Sequence, residues 1–283
     1  MPNFPIVDTH VHLWDPTRLN YPWLSSVEKL NRAFLPLDYR EHCADVVVDQ
    51  MVFLECDLAP SQFLEEAKWV ASLAEGEEPR LKGIVAHAPL HKGEAAKADL
   101  EALVQVVGVK GVRRLIQSES VNFCLQPNFV KGVLAISDFD LCFDLCIFHP
   151  QLDNTVALVR QCPNVSFVLD HIGKPGIKDG LLDPWRESLK RLAELPNVWC
   201  KVSGVVTEAH HDAWTFDDLK PYLDHVFDTF GFDRLMYGGD WPVSTLATDY
   251  PTWVATLDQL LSACSEDEKR KFYRETAISF YGL

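Results

Sequence analysis

Residues 49–74 read DQMVFLECDLAPSQFLEEAKWVASLA. The first seven form a mostly apolar run, of the kind parallel strands show when both faces are covered. From Ser61 to Ala74 the period changes. Phe63, Ala67, Val70 and Ala74 share one face of a helix, while Glu65, Glu66, Lys68 and Ser72 take the other sides. A covered strand followed by a half-covered helix is a βα unit, whose crossover is right-handed.

The same alternation recurs on both sides of this stretch. PIVDTH (5–10), LKGIVAH (81–87), VKGVRRLI (109–116), DLCFDLCIF (140–148), VSFVLD (165–170), NVWCKVS (197–203) and DRLMYGG (233–239) read as further strands. Helical stretches are expected at 37–45, 94–107, 128–137, 152–161, 184–195, 217–230, 250–263 and 266–281, with Pro184 suited to a first helical turn. Eight strands with no Ser/Gly-rich linker between them predict one domain over residues 1–283, a single (β/α)8 or TIM barrel of the α/β class. An open doubly wound sheet is the alternative. The phosphate-cradling G-x-G-x-x-G and G-x-x-x-x-G-K-[ST] loops that would favour it with a nucleotide are missing.

Composition narrows the partners. Twenty-six basic against 41 acidic residues give a net charge of −15, which repels nucleic-acid phosphates and anionic lipid. The longest basic run, Lys269 to Lys271, follows three acidic residues and reads as a solvated helix face. No apolar stretch approaches the roughly 18 residues of a membrane span, and MPNFPIVDTH lacks the charged and apolar regions of a signal peptide, so a cytoplasmic protein is expected. The eight cysteines are scattered, with no C-x-x-C pair, and read as reduced core residues.

In a barrel the chemistry sits at the C-terminal strand ends. There the sequence places His10 and His12, Glu55, His87, Arg113 with Arg114, His149, His171, Lys201 and Asp240. His10-x-His12 puts two imidazoles on one side of an extended chain, as two ligands of one metal require. Ten histidines give about 0.35 such pairs by chance, so position carries the argument rather than spacing. Closure would bring His10, His12, His149, His171 and Asp240 around one axis. Taken singly, His149 before a proline and His171 after Asp170 are equally compatible with hydrogen-bonded structural roles. His42, His91, His210, His211 and His225 fall in helices or loops and are expected to face solvent. Trp14, Trp23 and Trp241 flank the two strongest motifs, as a platform for a sugar ring or as loop packing.

These motifs carry a resemblance. VDTHVHLWDP (7–16), FHP (148–150), LDHIGKP (169–175), NVWCKVSGV (197–205) and DRLMYGGDWPV (233–243) resemble the amidohydrolase superfamily, and with YPWL (21–24) its branch of sugar lactonases. The resemblance runs from about Ile6 to Leu283. It implies hydrolysis of a lactone ring such as an aldonolactone, in place of the bare metal-capable barrel that spacing alone gives. Binuclear members bridge two ions with a lysine or glutamate at the fourth strand end. Here Arg113 and Arg114 stand there, so at most one divalent ion such as zinc is expected, on His10, His12, His149 and Asp240. The branch also includes enzymes that act without metal.

Lactone hydrolysis needs a base for water, a cation or donor at the carbonyl oxygen, and an acid for the departing alkoxide. Asp240 is the expected base and proton shuttle, with His171 and Arg113 as its catalytic partners. Adjacent strand residues face opposite ways, so one arginine at most enters the mouth and the other pairs with an acid behind the sheet; the resemblance, through the family's G-V-R pattern, implies that Arg113 is the one inside. Glu55, His87 and Lys201 are candidate contacts for substrate, together with the three tryptophans. The charge of −15 and the scarcity of mouth cations beyond Arg113 and Lys201 predict neutral sugar lactones over carboxylated ones. Two competing readings are a metal-dependent decarboxylase of an aromatic or unsaturated carboxylate, and an idle barrel kept as a scaffold.

Overall fold

A computed structural model describes residues 1–283. The strands are β1 (Ile6–Val11), β2 (Val48–Leu54), β3 (Leu81–His87), β4 (Val109–Arg113), β5 (Cys142–Leu145), β6 (Phe167–Leu169), β7 (Val198–Val202) and β8 (Leu235–Tyr237). They form one parallel sheet in chain order. The ends meet at a bridge between Val11 and Trp241, and the Thr9 hydroxyl donates to the Tyr237 carbonyl across the seam at 2.6 Å. The (β/α)8 barrel expected from the strand count is therefore the observed architecture.

Between the strands run α1 (Pro36–Cys43), α2 (Phe63–Glu75), α3 (Ala96–Leu103), α4 (Pro127–Ala135), α5 (Leu152–Gln161), α6 (Trp185–Ala193), α7 (Phe216–Phe230) and α8 (Tyr250–Leu260). Helix α7 starts where the Asp218 carboxylate accepts the Thr215 amide at 2.8 Å, satisfying a donor that the helix leaves free. Pro184 stands one residue before α6, as its cap. The expected helix 266–281 is α9 (Glu266–Arg270), a π turn over Lys271–Glu275 and α10 (Thr276–Tyr281). On α2, Ala67 and Val70 are buried as the pattern requires, but Glu66 is buried as well, correcting its assignment to a polar side.

The barrel interior is a small apolar cluster: Val7, Val52, Leu54, Val85, Cys142, Val168 and Met236, closed from below by Ala277 and Tyr281 of α10. Val11, by contrast, packs in the larger cluster between strands and helices. The phase of β1 changes because its pairing slips between Asp8 and Val11, where three steps face two from Met51 to Phe53. Such a bulge re-aims the residues that follow it. Asp8 reaches out to Tyr39 of α1 and Tyr250 of α8, whereas His10 and His12 turn toward the mouth. Seven of the eight cysteines are buried and all are free thiols. No helix is long and apolar enough to cross a membrane.

Candidate active site

Four of the five expected residues meet at the C-terminal strand ends. Asp240 Oδ1 lies 3.6 Å from His10 Nε2 and 3.4 Å from His12 Nε2, and Oδ2 lies 4.0 Å from His171 Nδ1. All four are buried, at 5% exposure or less. Room for this approach comes from Gly204 in KVSGV. A Cβ there would sit 2.4 Å from Asp240 Oδ2 and 2.5 Å from His171 Nδ1, and its φ is +58°.

His149 does not join them. Strand β5 ends at Leu145, the Cys146 carbonyl accepts the Ile116 and Gln117 amides, and His149 opens a turn whose face belongs to a neighbouring cleft. The expected fifth strand was too long, and this removes His149 from the donor set. The compact sets are His10, His12 and Asp240, and His10, Asp170 and His171, each with ligand atoms within 4.8 Å of one another.

Protonation follows from surroundings. Burial pushes His10 well below its ordinary value and His171 down to about 4, so both rings are neutral at pH 7. Burial works to raise the Asp240 carboxyl, but His171, His12 and Lys174 outweigh it and hold it below the ordinary carboxylate range. His12 Nδ1 lies 2.9 Å from the Leu54 carbonyl, an acceptor only, so this nitrogen carries the proton. Its Nε2 is the nitrogen turned to the Asp240 carboxylate, 3.4 Å away. His10, His12 and Asp240 bring three ligand atoms within 4.8 Å of one another, a donor set that fits one zinc-like ion.

Arg113 faces inward, as the family pattern implied, and Arg114 pairs with Glu119. Glu55 lies outside the mouth lining: its carboxylate accepts Arg113 Nε at 2.8 Å and the Asp57 amide at 2.8 Å. Asp170 accepts Arg113 at 3.0 Å and lies 3.4 Å from the Lys201 ammonium, which also pairs with Asp144. Lys201 is fully buried below the mouth, and this pairing removes it from the substrate contacts. His87 lies behind Glu55, at 3.9 Å, also away from the mouth cavity.

The mouth is a cavity of about 310 Å3 whose walls include Trp14, Trp23, Arg113, His171, Lys174 and Asp240. Trp14 and Trp23 meet edge to face at 5.4 Å, and their nitrogens donate to the Arg32 and Cys56 carbonyls. Trp241 is absent from these walls. It packs between Phe34 and Tyr39 and donates to His42 Nδ1 at 2.7 Å, so it is part of the core and His42 is not a free solvent-facing ring.

Sequence reasoning missed Lys174, Gln117 and Thr207 in the walls and Asp170 behind the imidazoles. Lys174 gave a signal in HIGKP. His171, Ile172, Gly173 and Lys174 take four consecutive positive φ values, 54°, 51°, 76° and 47°. A β-branched residue such as Ile172 is strained there, and the turn is held in that shape where it brings both His171 and Lys174 to the mouth. The Lys174 ammonium donates to Gln117 Oε1 at 2.6 Å.

A parallel barrel with paired imidazoles and a carboxylate at its mouth defines an enzyme of the metal-capable, water-activating class. The chain belongs to the amidohydrolase family, whose profile matches residues 7–283. It is 30% identical to an L-fucono-1,5-lactonase of Burkholderia multivorans over 98% of this chain and 96% of that one. An L-fucono-1,5-lactonase of Burkholderia ambifaria is 29% identical, over 98% and 95%. An amidohydrolase of Burkholderia multivorans, solved with bound zinc, matches with a TM-score of 0.88 and 28% identity over 99% of this chain and 100% of that one.

Proposed function

We propose that this chain hydrolyses the ring ester of a sugar-derived lactone, an aldonolactone such as L-fuconolactone, with Asp240 as general base. The observation that carries this reading is an ionised carboxylate held at the mouth beside the His10, His12 and His171 imidazoles. Asp240 takes a proton from water as its oxygen adds to the carbonyl carbon. Arg113, a cation lining the mouth, meets the charge that gathers on the carbonyl oxygen. The bond from carbon to ring oxygen then breaks, and Asp240 returns its proton to the leaving alkoxide. The product is the open hydroxy acid, which ionises into solvent.

His171 Nδ1 lies 3.1 Å from the Ser203 carbonyl, so its proton points there and Nε2 keeps a lone pair. That lone pair orients water beside Asp240. When bound, a divalent ion on His10, His12 and Asp240 supplies Lewis acidity and lowers the pKa of water. Trp23 offers the platform for sugar C–H faces, with the fully buried Trp14 packed edge to face behind it. The decarboxylase alternative needs a cation to hold a substrate carboxylate; Arg113 is already shared between Glu55 and Asp170, so that task would fall to Lys174.

One assay separates these readings. A panel of aldonolactones is followed by acid release beside aromatic carboxylates followed by CO₂ release. Turnover confined to the carboxylates would overturn the proposal.

A further inference from the structure

The mouth cavity does not end at Lys174. That side chain and Thr207 also line a second cleft of about 670 Å3, twice the size of the mouth. The mouth alone lies near the lower end of the roughly 300–1,000 Å3 that small-molecule sites span. A monocyclic aldonolactone that fills it leaves the larger space unused.

The chemistry of the second cleft is specific. Three loops build it: Phe148 to Pro150 after β5, Lys174 to Asp179 after β6, and Thr207 to His211 after β7. Phe148 is 40% exposed, and its ring lies 5.2 Å from the Lys174 ammonium at the junction. His149 Nδ1 is enclosed without a hydrogen-bond partner. Two cations, Lys174 and Lys178, face two acids, Asp179 and Glu208. Balanced charge does not select an anion, and the polar walls do not select a hydrocarbon. An exposed aromatic face among paired carboxylates, ammonium groups and imidazoles matches a neutral polyol, which stacks C–H groups on the ring and bonds hydroxyls to the rest.

We propose that the second cleft receives a glycosyl group carried by the lactone, so that the preferred substrate is the lactone of a disaccharide aldonic acid. The ring to be opened occupies the mouth, and Lys174 stands between the two sugars. This rests on the lactone hydrolysis proposed above and adds the size of the substrate to it.

The test compares kcat/KM for aldono-1,5-lactones in three forms: free, 4-O-glucosylated and 4-O-phosphorylated. For whichever lactone is turned over, the glucosylated form is expected to be the best, through a lower KM. Phe148→Ala should shrink the ratio of glucosylated to free by roughly three- to tenfold, the size of one aromatic contact, while Phe148→Trp keeps it. A wild-type ratio at or below one, a ratio unmoved by Phe148→Ala, or a preference for the phosphorylated form would overturn the proposal while leaving lactone hydrolysis standing. Failure to open any lactone would overturn both.

Discussion

The Asp8 carboxylate accepts the Gly239 amide at 2.8 Å, joining the first strand to the segment after the last. The same side chain accepts the His10 amide at 3.0 Å and the Tyr39 and Tyr250 hydroxyls at 2.8 Å each. One buried residue thus ties the barrel seam to the helices on either side, two positions before the first imidazole of the site. A Cβ on Gly239 would stand 2.6 Å from this carboxylate, so the approach requires glycine.

Replacing Asp8 by Ala strands four donors in the core. Leaving buried polar groups unpaired costs about 1–3 kcal/mol each, and the hydroxyls can recover part by rotating. Urea unfolding of Asp8→Ala should show a loss of at least ~2 kcal/mol on that scale. An unchanged midpoint would contradict the seam role.

Asp240→Asn keeps the shape and removes the base. Lactone hydrolysis should fall by roughly 10²–10⁴-fold, the usual share of general acid–base catalysis. Wild-type kcat in a folded variant would move the base to another residue.

Zinc titration with metal analysis should find no more than one ion per chain, since no carboxylate or free lysine ends β4. His12→Ala should lower its affinity, and His149→Ala should leave the content unchanged. Two ions per chain, or loss of the ion in His149→Ala, would contradict the donor set.

Glu66 is 1% exposed, and burial raises its carboxyl well above the ordinary 4.5. The folded state keeps a proton that the unfolded chain releases, so stability drains away as pH rises above about 4.5. Glu66→Gln removes that loss. Its melting temperature should gain on the wild type by more at pH 8 than at pH 5, and parallel pH profiles would refute the assignment.

Trp241→Phe keeps the ring packing but loses the bond to His42. Stability should drop by about 1 kcal/mol, the net worth of one hydrogen bond, with lactone turnover unchanged. A large fall in kcat at full stability would return Trp241 to the substrate platform.

The barrel was readable because apolar period alone distinguishes covered strands from half-covered helices, as residues 49–74 show. His10, His12, His171 and Asp240 were readable because each stands at or just past the end of a strand that the sequence marks. His149 misled because DLCFDLCIF stays apolar for three residues after the chain leaves the sheet, and burial under a loop looks the same in sequence as burial in a barrel. Lys174 escaped because it reaches the mouth through a left-handed turn rather than a strand end. For Glu55 and Lys201 the residue type was informative but not its partner: an ion pair between β5 and β7, such as Lys201 with Asp144, depends on neighbours 57 positions apart.

Glu55, Arg113, Asp170, Lys201 and Asp144 form one unbroken run of ion pairs, each residue contributed by a different strand or strand end. Such a run makes assembly cooperative. A slip of β4 by two residues would put Gly111 where Arg113 belongs, and the same slip of β7 would substitute Trp199 for Lys201, leaving carboxylates bare in a dry interior at a cost of several kcal/mol. Misaligned barrels are therefore penalised at every strand from the second to the seventh except the third. The alignment that escapes this penalty is also the one that seats the water-activating groups above it, so correct folding and a working mouth are selected together.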